Sequence, residues 1–395
     1  IRTVPMLRIK PYLVAPLLLA GSVQAAQPLS INIAYLHYQP DQGPVLSNIL
    51  PEPEDSGLRG AELAIKDSNT TGRFLKQSYQ LTTLQHDQPE ALLAEAQKAQ
   101  QAGTQLFVAN LPAEWVTKLV KQLGDQALIF NAGSTDNQLR QTQCYSNLLH
   151  TAPSRAMLTD ALGQWLKARR LDRWLLVTGN RPEDQLYAES IKRAAKRFGS
   201  KVVEEKQWSF DTDLRRTAQK ELPLFTRGKE YDVVVVADER GDFGEYVPFN
   251  TWLPRPVVGT QGLSPVGWHR VVEQWGAAQL QSRFQDLASR WMTSTDYASW
   301  AAVRSIAEGV TRTGSNDATK LRNYIRSDQF QLAGFKGRKL SYRSWNGQLR
   351  QPIALIHPRA LVSQSPQQGF LHPVNELDTL GFDKPEVHCE NLAER

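Results

Sequence analysis

The chain has 395 residues, is 41% hydrophobic and 22% charged, and carries 25 Gly and 22 Pro, which excludes a disordered, collagen-like or multi-span membrane polypeptide. At about 100–200 residues per domain, this length predicts two domains rather than one small binding module. The formal charge of +6 would suggest a polyanionic partner, but much of the excess lies in residues 1–25. There Arg8 and Lys10 precede an apolar run from Tyr12 to Ala20, and Val23-Gln24-Ala25 offers a small-residue cleavage site. The run is shorter than the roughly 20 residues a membrane span needs, so residues 1–25 read as a cleaved signal peptide, with a retained anchor as the alternative. Removing Arg2, Arg8 and Lys10 takes Lys+Arg from 46 to 43 against 40 Asp+Glu, a net charge of +3. No nucleic-acid partner is implied.

The remainder alternates strand and helix. Ile31–Leu36 is a short β-type run, followed by a Pro- and acid-rich loop from Gln39 to Asp55 and a helix over Gly57–Asp67. A strand at Tyr79–Leu84, a helix at Glu90–Ala102 stopped by Gly103, a strand at Thr104–Ala109, a helix at Ala113–Leu123 and a strand at Ala127–Phe130 follow. After 147–154 the pattern restarts with a helix at Arg155–Arg169, a strand at Trp174–Thr178, a helix at Glu183–Phe198, a strand at Val202–Glu205, a helix at Thr212–Leu222 and a strand at Tyr231–Ala237. The last strand is apolar on both faces, as a central parallel strand requires. A strand at Pro256–Gly259, helices near Ala278–Trp291 and Tyr297–Thr313, and a smaller mixed region complete the chain. The expected fold class is α/β, with two doubly wound parallel sheets in series.

In open α/β sheets ligands bind beyond the carboxyl ends of the strands. The loops to search are therefore His37-Tyr38, Asn110-Leu111-Pro112, Gly133-Ser134-Thr135-Asp136, Gly179-Asn180-Arg181 and Asp238-Glu239-Arg240. No G-x-S-x-G, H-E-x-x-H, C-x-x-C, Walker A or G-x-G-x-x-G pattern occurs, and the seven His include no i,i+4 pair. Asp242-Phe243-Gly244 looks like a kinase metal-binding triplet but has no catalytic loop or phosphate loop beside it. The reading is a binding protein that needs no catalytic cofactor or metal, not an enzyme. Asn69-Thr70-Thr71 fits a glycosylation sequon but also a cap or turn, and the basic stretch Lys192 to Arg197 fits a solvated helix face or a docking surface. Cys144 and Cys389 are the only cysteines. In an oxidising compartment they are candidates for a disulfide, with two separate thiols as the alternative.

The segment Gly57-Leu-Arg-Gly60-Ala-Glu-Leu-Ala-Ile-Lys-Asp67, the passage His150-Thr-Ala-Pro-Ser154 and the late helix from Tyr297 to Thr311 resemble type I periplasmic solute-binding proteins of the leucine/isoleucine/valine class of ABC transporters. That resemblance implies a periplasmic location and two lobes joined by three hinge crossovers, near 149–153, 258–262 and 335–340. The implied division is signal peptide 1–25, lobe 1 over 26–150 and 259–337, lobe 2 over 151–258 and 338–364, and a tail over 365–395. Longer motifs, among them Leu46 to Asp55, Leu149 to Leu158, Asp242 to Tyr246, Trp268-His-Arg with Glu273-Gln-Trp-Gly276, and Gly347 to Pro352, resemble a branch associated with alcohol catabolism dependent on pyrroloquinoline quinone (PQQ).

The amino-acid binders place a Ser pair after the third strand. Here Asn110-Leu111-Pro112 lacks hydroxyls, and Pro112 lacks an N–H, although Ser134 and Thr135 remain after the fourth. The association implies a role beside quinoprotein alcohol dehydrogenases without itself naming the ligand; for the altered cleft the expected ligand is PQQ, a planar tricarboxylate, or a related aromatic polyacid, delivered to an ABC permease or a PQQ-dependent dehydrogenase by a monomeric protein. A branched-chain amino acid, a small organic acid, or a ligand-sensing accessory role are the alternatives. A polyacid needs aromatic surface and guanidinium forks. Candidate contacts are Trp115, Trp252 and Trp268 for stacking and Arg155 and Arg181 for carboxylates. His37, Tyr38, Asn110, Ser134, Thr135, Asn180 and Gln261 would supply polar contacts. Asp238 and Glu239 would oppose a trianion unless they orient an Arg, but would serve as the counter-charge of an ammonium group.

Overall fold

A computed structural model describes residues 28–41, 51–209 and 214–389. The expected signal peptide, most of the acidic loop, the start of the Thr212 helix and the last residues of the tail lie outside these. Strands β1 (Leu29–Tyr38), β2 (Gln77–His86), β3 (Leu106–Asn110), β4 (Leu128–Asn131) and β5 (Leu148–His150) form one sheet in the order β2-β1-β3-β4-β5. Every pairing in it is parallel. Helices α1 (Leu58–Leu75), α2 (Pro89–Gln101), α3 (Ala113–Leu123) and the one-turn α4 (Gln138–Gln141) connect these strands. β3 is buried on both faces because α2 and α3 cover one side, while the other packs into a core shared with helices from much later in the chain.

The second lobe repeats the plan. α5 (Arg155–Ala168), β6 (Arg173–Thr178), α6 (Pro182–Phe198), β7 (Lys201–Gln207), α7 (Leu214–Phe225), β8 (Val233–Ala237) and β9 (Val257–Gly259) give a parallel sheet in the order β7-β6-β8-β9. Ser154 caps α5 by accepting the Met157 N–H at 3.1 Å. The Val233–Ala237 run is wholly buried between the two helical layers.

The chain then returns to the first lobe. After β10 (Ser264–Val266) come α8 (Ala277–Ala288), α9 (Ser294–Thr313), α10 (Ala318–Ile325) and the short strands β11 (Leu332–Ala333), β12 (Lys339–Tyr342) and β13 (Leu349–Arg350). α1 and α9 approach so closely that a Cβ on Gly60 would fall 1.9 Å from the Asp296 carbonyl oxygen, so only glycine fits there. Leu332, Leu340, Tyr342 and Leu349 pack in the first lobe's core, whereas Ile353 and Leu355 of β14 (Ile353–His357) pack in the second's. Ala354 and Ile356 of the same strand pack in the first lobe's core, so β14 lies between the two cores and the third passage ends there. β14 pairs antiparallel with β10 and with β15 (Ala360–Ser365).

The three passages are stitched side by side. Gln348 donates to the carbonyls of His150 at 3.3 Å and Ala152 at 3.2 Å, and its own carbonyl accepts from Arg140 Nε at 2.9 Å. Gln351 donates to Thr151 O at 2.8 Å and accepts from Lys336 Nζ at 2.6 Å. Lys336 also donates to Gly267 O, just after β10, and its Nζ sits 4.4 Å from the centre of the Tyr297 ring. One buried amine thus links the second and third passages directly and the first through Gln351.

Burial pulls the Lys336 pKa down from 10.5 to about 7. Between those values the unfolded chain holds more protons than the folded one, so this group makes stability rise with pH, and its full penalty is present below about 7. We expect Lys336→Met to destabilise by on the order of 2 kcal/mol, because carbonyls of Gly267 and Gln351 lose their donor. The wild-type advantage in urea unfolding should grow between about pH 7 and about pH 9.5. A gap independent of pH would show that the amine stays charged throughout.

Candidate functional site

The carboxyl ends of β1, β3 and β4 meet in a cavity of about 380 Å³ lined by Tyr38, Asn110, Gly133, Ser134, Thr135, Asp136 and, from the second lobe, Arg155, together with the apolar residues 111–113. Local chemistry shapes it. Asn131 closes the loop after β4 by donating to Ser134 O and accepting the Ser134 N–H, both at 2.8 Å. A Cβ on Gly133 would fall 2.3 Å from Asn110 Oδ1, so the loops after β3 and β4 touch only because position 133 is glycine.

Arg155 dominates the electrostatics. Its Nε and Nη2 donate to the two carboxylate oxygens of Glu239, both at 2.7 Å, and Nη1 lies 3.7 Å from Asp136. The guanidinium therefore bridges a first-lobe carboxylate and a second-lobe carboxylate. Burial alone would lower its pKa, but hydrogen bonding and attraction from Glu239, with Asp136, raise it. Asp184 positions Glu239 by accepting its N–H at 2.8 Å, and burial pushes the Asp184 carboxyl up to about 6. Its place in the first turn of α6, three residues after Arg181, is a sequence signal that points to a capping acid.

A larger adjoining cavity of about 700 Å³ shares Tyr38 and Asn110 and adds His37, Ser56 and the carboxyl-bearing Asp41, Glu52, Glu54 and Asp87. No Lys or Arg is among its described lining residues. His37 Nε2 bonds the Glu54 carbonyl at 2.7 Å, and burial lowers its pKa, so the imidazole is neutral near pH 7 and adds no positive charge.

The other sequence candidates divide. Asn180 is exposed, and Arg181 forms an ion pair with Asp242. Asp238 is saturated: its carboxylate accepts the N–H groups of Asp242 at 2.9 Å and Phe243 at 2.8 Å, and also that of Gly244. It organises a turn rather than offering a free counter-charge. Gln261 lies against Gly244. These loops after β6, β8 and β9 line neither cavity. Cys144 and Cys389 are joined as a disulfide.

None of the three tryptophans considered for stacking lines either cavity. Trp268 is 3% exposed and stacks on Tyr297 with centroids 4.6 Å apart and planes at 6°, so it is part of the first lobe's core. Trp252 is 47% exposed and donates its backbone N–H to Thr226, which precedes β8; it sits at the amino end of that strand, away from the cleft. Trp115 packs partly against the helical layer of α2 and α3, with Lys118 Nζ 3.7 Å from its ring centre. Loop placement alone does not distinguish a ring that fills a core from one that awaits a ligand. Trp268→Ala should cost about 3–5 kcal/mol in chemical unfolding, whereas Trp252→Ala should stay within about 0.5 kcal/mol.

Among the described residues no cluster of three or more His, Cys, Asp or Glu could hold a metal ion, and no helix is long and apolar enough to cross a membrane. The two-lobed arrangement of parallel sheets is the type I periplasmic binding protein fold. Residues 40–221 match the family model for periplasmic binding proteins. No curated protein matches the sequence. A periplasmic ligand-binding protein of a branched-chain amino acid ABC transporter from Burkholderia xenovorans is similar in structure, with TM-score 0.70 and 15% identity over 91% of this chain and 99% of that one. A solute-binding protein of an R. palustris ABC transporter in complex with benzoate gives 0.66 and 12% over 91% and 99%. The branched-chain amino acid transporter substrate-binding protein LivJ from Streptococcus pneumoniae, in complex with isoleucine, gives 0.63 and 13% over 85% and 99%. At these identities the likeness is one of fold.

Proposed function

We propose that this chain is the periplasmic solute-binding component of an ABC-type importer, and that its solute is a small molecule bearing a carboxylate, most simply an amino acid. The observation that carries this reading is Arg155, clasped by Glu239, on the wall that also presents Ser134, Thr135 and Asp136. A bound carboxylate can take the Ser134 and Thr135 hydroxyls and a share of the Arg155 guanidinium. An ammonium group would then face the Asp136 carboxylate, which Arg155, already paired with Glu239, does not fully neutralise. Closure of the lobes about the three passages would bring Asn180 and Arg181 over the solute and exclude water. Structural neighbours that bind isoleucine and benzoate support a ligand of this size.

PQQ itself is the second reading. Arg155 and the adjoining Tyr38 favour it, offering one guanidinium and one ring in the cavity, as do the motifs shared with the branch linked to PQQ-dependent alcohol oxidation. It requires Glu239 to release Arg155, and the carboxylates of the larger cavity oppose a trianion. In either case the role beside alcohol oxidation would be uptake or delivery, with an ABC permease or a PQQ-dependent dehydrogenase as partner.

Calorimetric titration with leucine, isoleucine, valine, benzoate and PQQ tests the assignment. We expect saturable binding of an amino acid, weakened at least tenfold, about 1.4 kcal/mol, by Glu239→Gln. Binding of PQQ alone would favour the second reading, and no saturable binding by any of the five would contradict both.

A further inference from the structure

The end of the chain crosses the cleft once more. Leu380 packs in the core of the second lobe. The next residue, Gly381, donates its N–H to the buried Asp160 of α5 at 2.8 Å, and its carbonyl accepts from Arg193 at 3.1 Å and Arg197 at 2.7 Å, both on α6. Asp160 also pairs with both arginines, at 3.0 Å and 2.7 Å. Five residues on, Glu386 pairs with Arg193 at 2.8 Å, a further anchor on the second lobe. The first lobe holds the same stretch: Arg343, just after β12, donates to the carbonyls of Leu377 at 3.0 Å, Leu380 at 2.7 Å and Phe382 at 3.2 Å and pairs with Asp378 at 2.8 Å. His388 donates its N–H to the Gln141 carbonyl at 2.7 Å, and Cys389 is bonded to Cys144, both partners lying between β4 and β5 of the first lobe.

We propose that residues 381–389 are a fourth connection between the lobes, a covalently fastened strap that limits how far the cleft opens. The anchors set its reach. From Glu386 to Cys389 the chain advances three residues, which span at most about 11 Å when fully extended. Arg343 adds a non-covalent tie from the first lobe to the same stretch, at Leu380 and Phe382. These polar contacts can break and re-form, whereas the disulfide makes the tether permanent. Asn137 of the first lobe also donates to Ser190 of the second at 2.7 Å on this same side, so the lobes are already held close there. Limiting the open state shortens the path to closure and shifts the open–closed balance without any contact to the solute.

Small-angle X-ray scattering of the ligand-free full chain tests the strap. Glu386→Ala, which keeps the disulfide, and the double variant Cys144→Ser with Cys389→Ser should each give a larger radius of gyration and a broader distance distribution than the wild type. Circular dichroism should show the same secondary structure in all three. Unchanged scattering in folded Glu386→Ala, or in the folded double serine variant with only a lowered unfolding midpoint, would overturn the proposal and leave the tail a simple staple. If the double variant does not fold, Glu386→Ala alone decides the matter.

Discussion

Three passages of backbone run between two hydrophobic cores, and each brings polar groups that must be paired where water does not reach. The solution is a small set of buried donors. Gln348 and Gln351 reach across to the carbonyls of the first passage, Arg140 braces Gln348, and Lys336 ties Gln351 to the carbonyl of Gly267. No carboxylate hydrogen-bonds Arg140 or Lys336 in this network, so both cations rest on carbonyl acceptors, and burial pulls the Arg140 pKa down to about 9. Such bonds hold passages adjacent without fixing the angle between lobes. They tolerate rotation better than a close-packed apolar plug, whose interlocked side chains resist displacement.

The cleft follows from that junction. Arg155 stands one residue beyond the Ser154 cap that starts the second lobe, so it is carried by the first passage to a point between the lobes. Its clasp on Glu239 and its approach to Asp136 form an electrostatic seam that a polar solute can divide. Beside the seam, the rings that line the two cavities are those of Tyr38 and His37, while Trp268 packs in the core beneath α9. Charge and hydroxyls, rather than aromatic area, are what the cavity presents.

Much of this was legible in the residues. Runs such as 106–109 and 233–237, apolar on both faces, announce central parallel strands, and Gly103, Gly124 and Gly199 mark helix ends. The strand-end rule led to His37, Tyr38, Asn110, Ser134 and Thr135, and the search for a guanidinium to meet a carboxylate led to Arg155; these line the two adjoining cavities. Pairings across long separations were not legible. Glu239 lies 84 residues from Arg155, and nothing local in Asp238-Glu239 distinguishes the residue that bonds a turn from the one that reaches the cleft. The late passage was the least legible, because β11 and β13 are only two residues long and carry no periodicity. The cysteine pair could be named from compartment and count, but what it fastens emerges only from the backbone hydrogen bonds of Gly381 and the ion pair of Glu386.

The central claim is that two lobes close on one small solute at the ends of their parallel strands. Hydrogen–deuterium exchange, with and without isoleucine as the probe, tests it most directly. Joint protection of residues 110–112 and 133–136 in one lobe and 180–181 in the other is expected, since closure buries both walls. Protection confined to one lobe, or none at these loops, would contradict it.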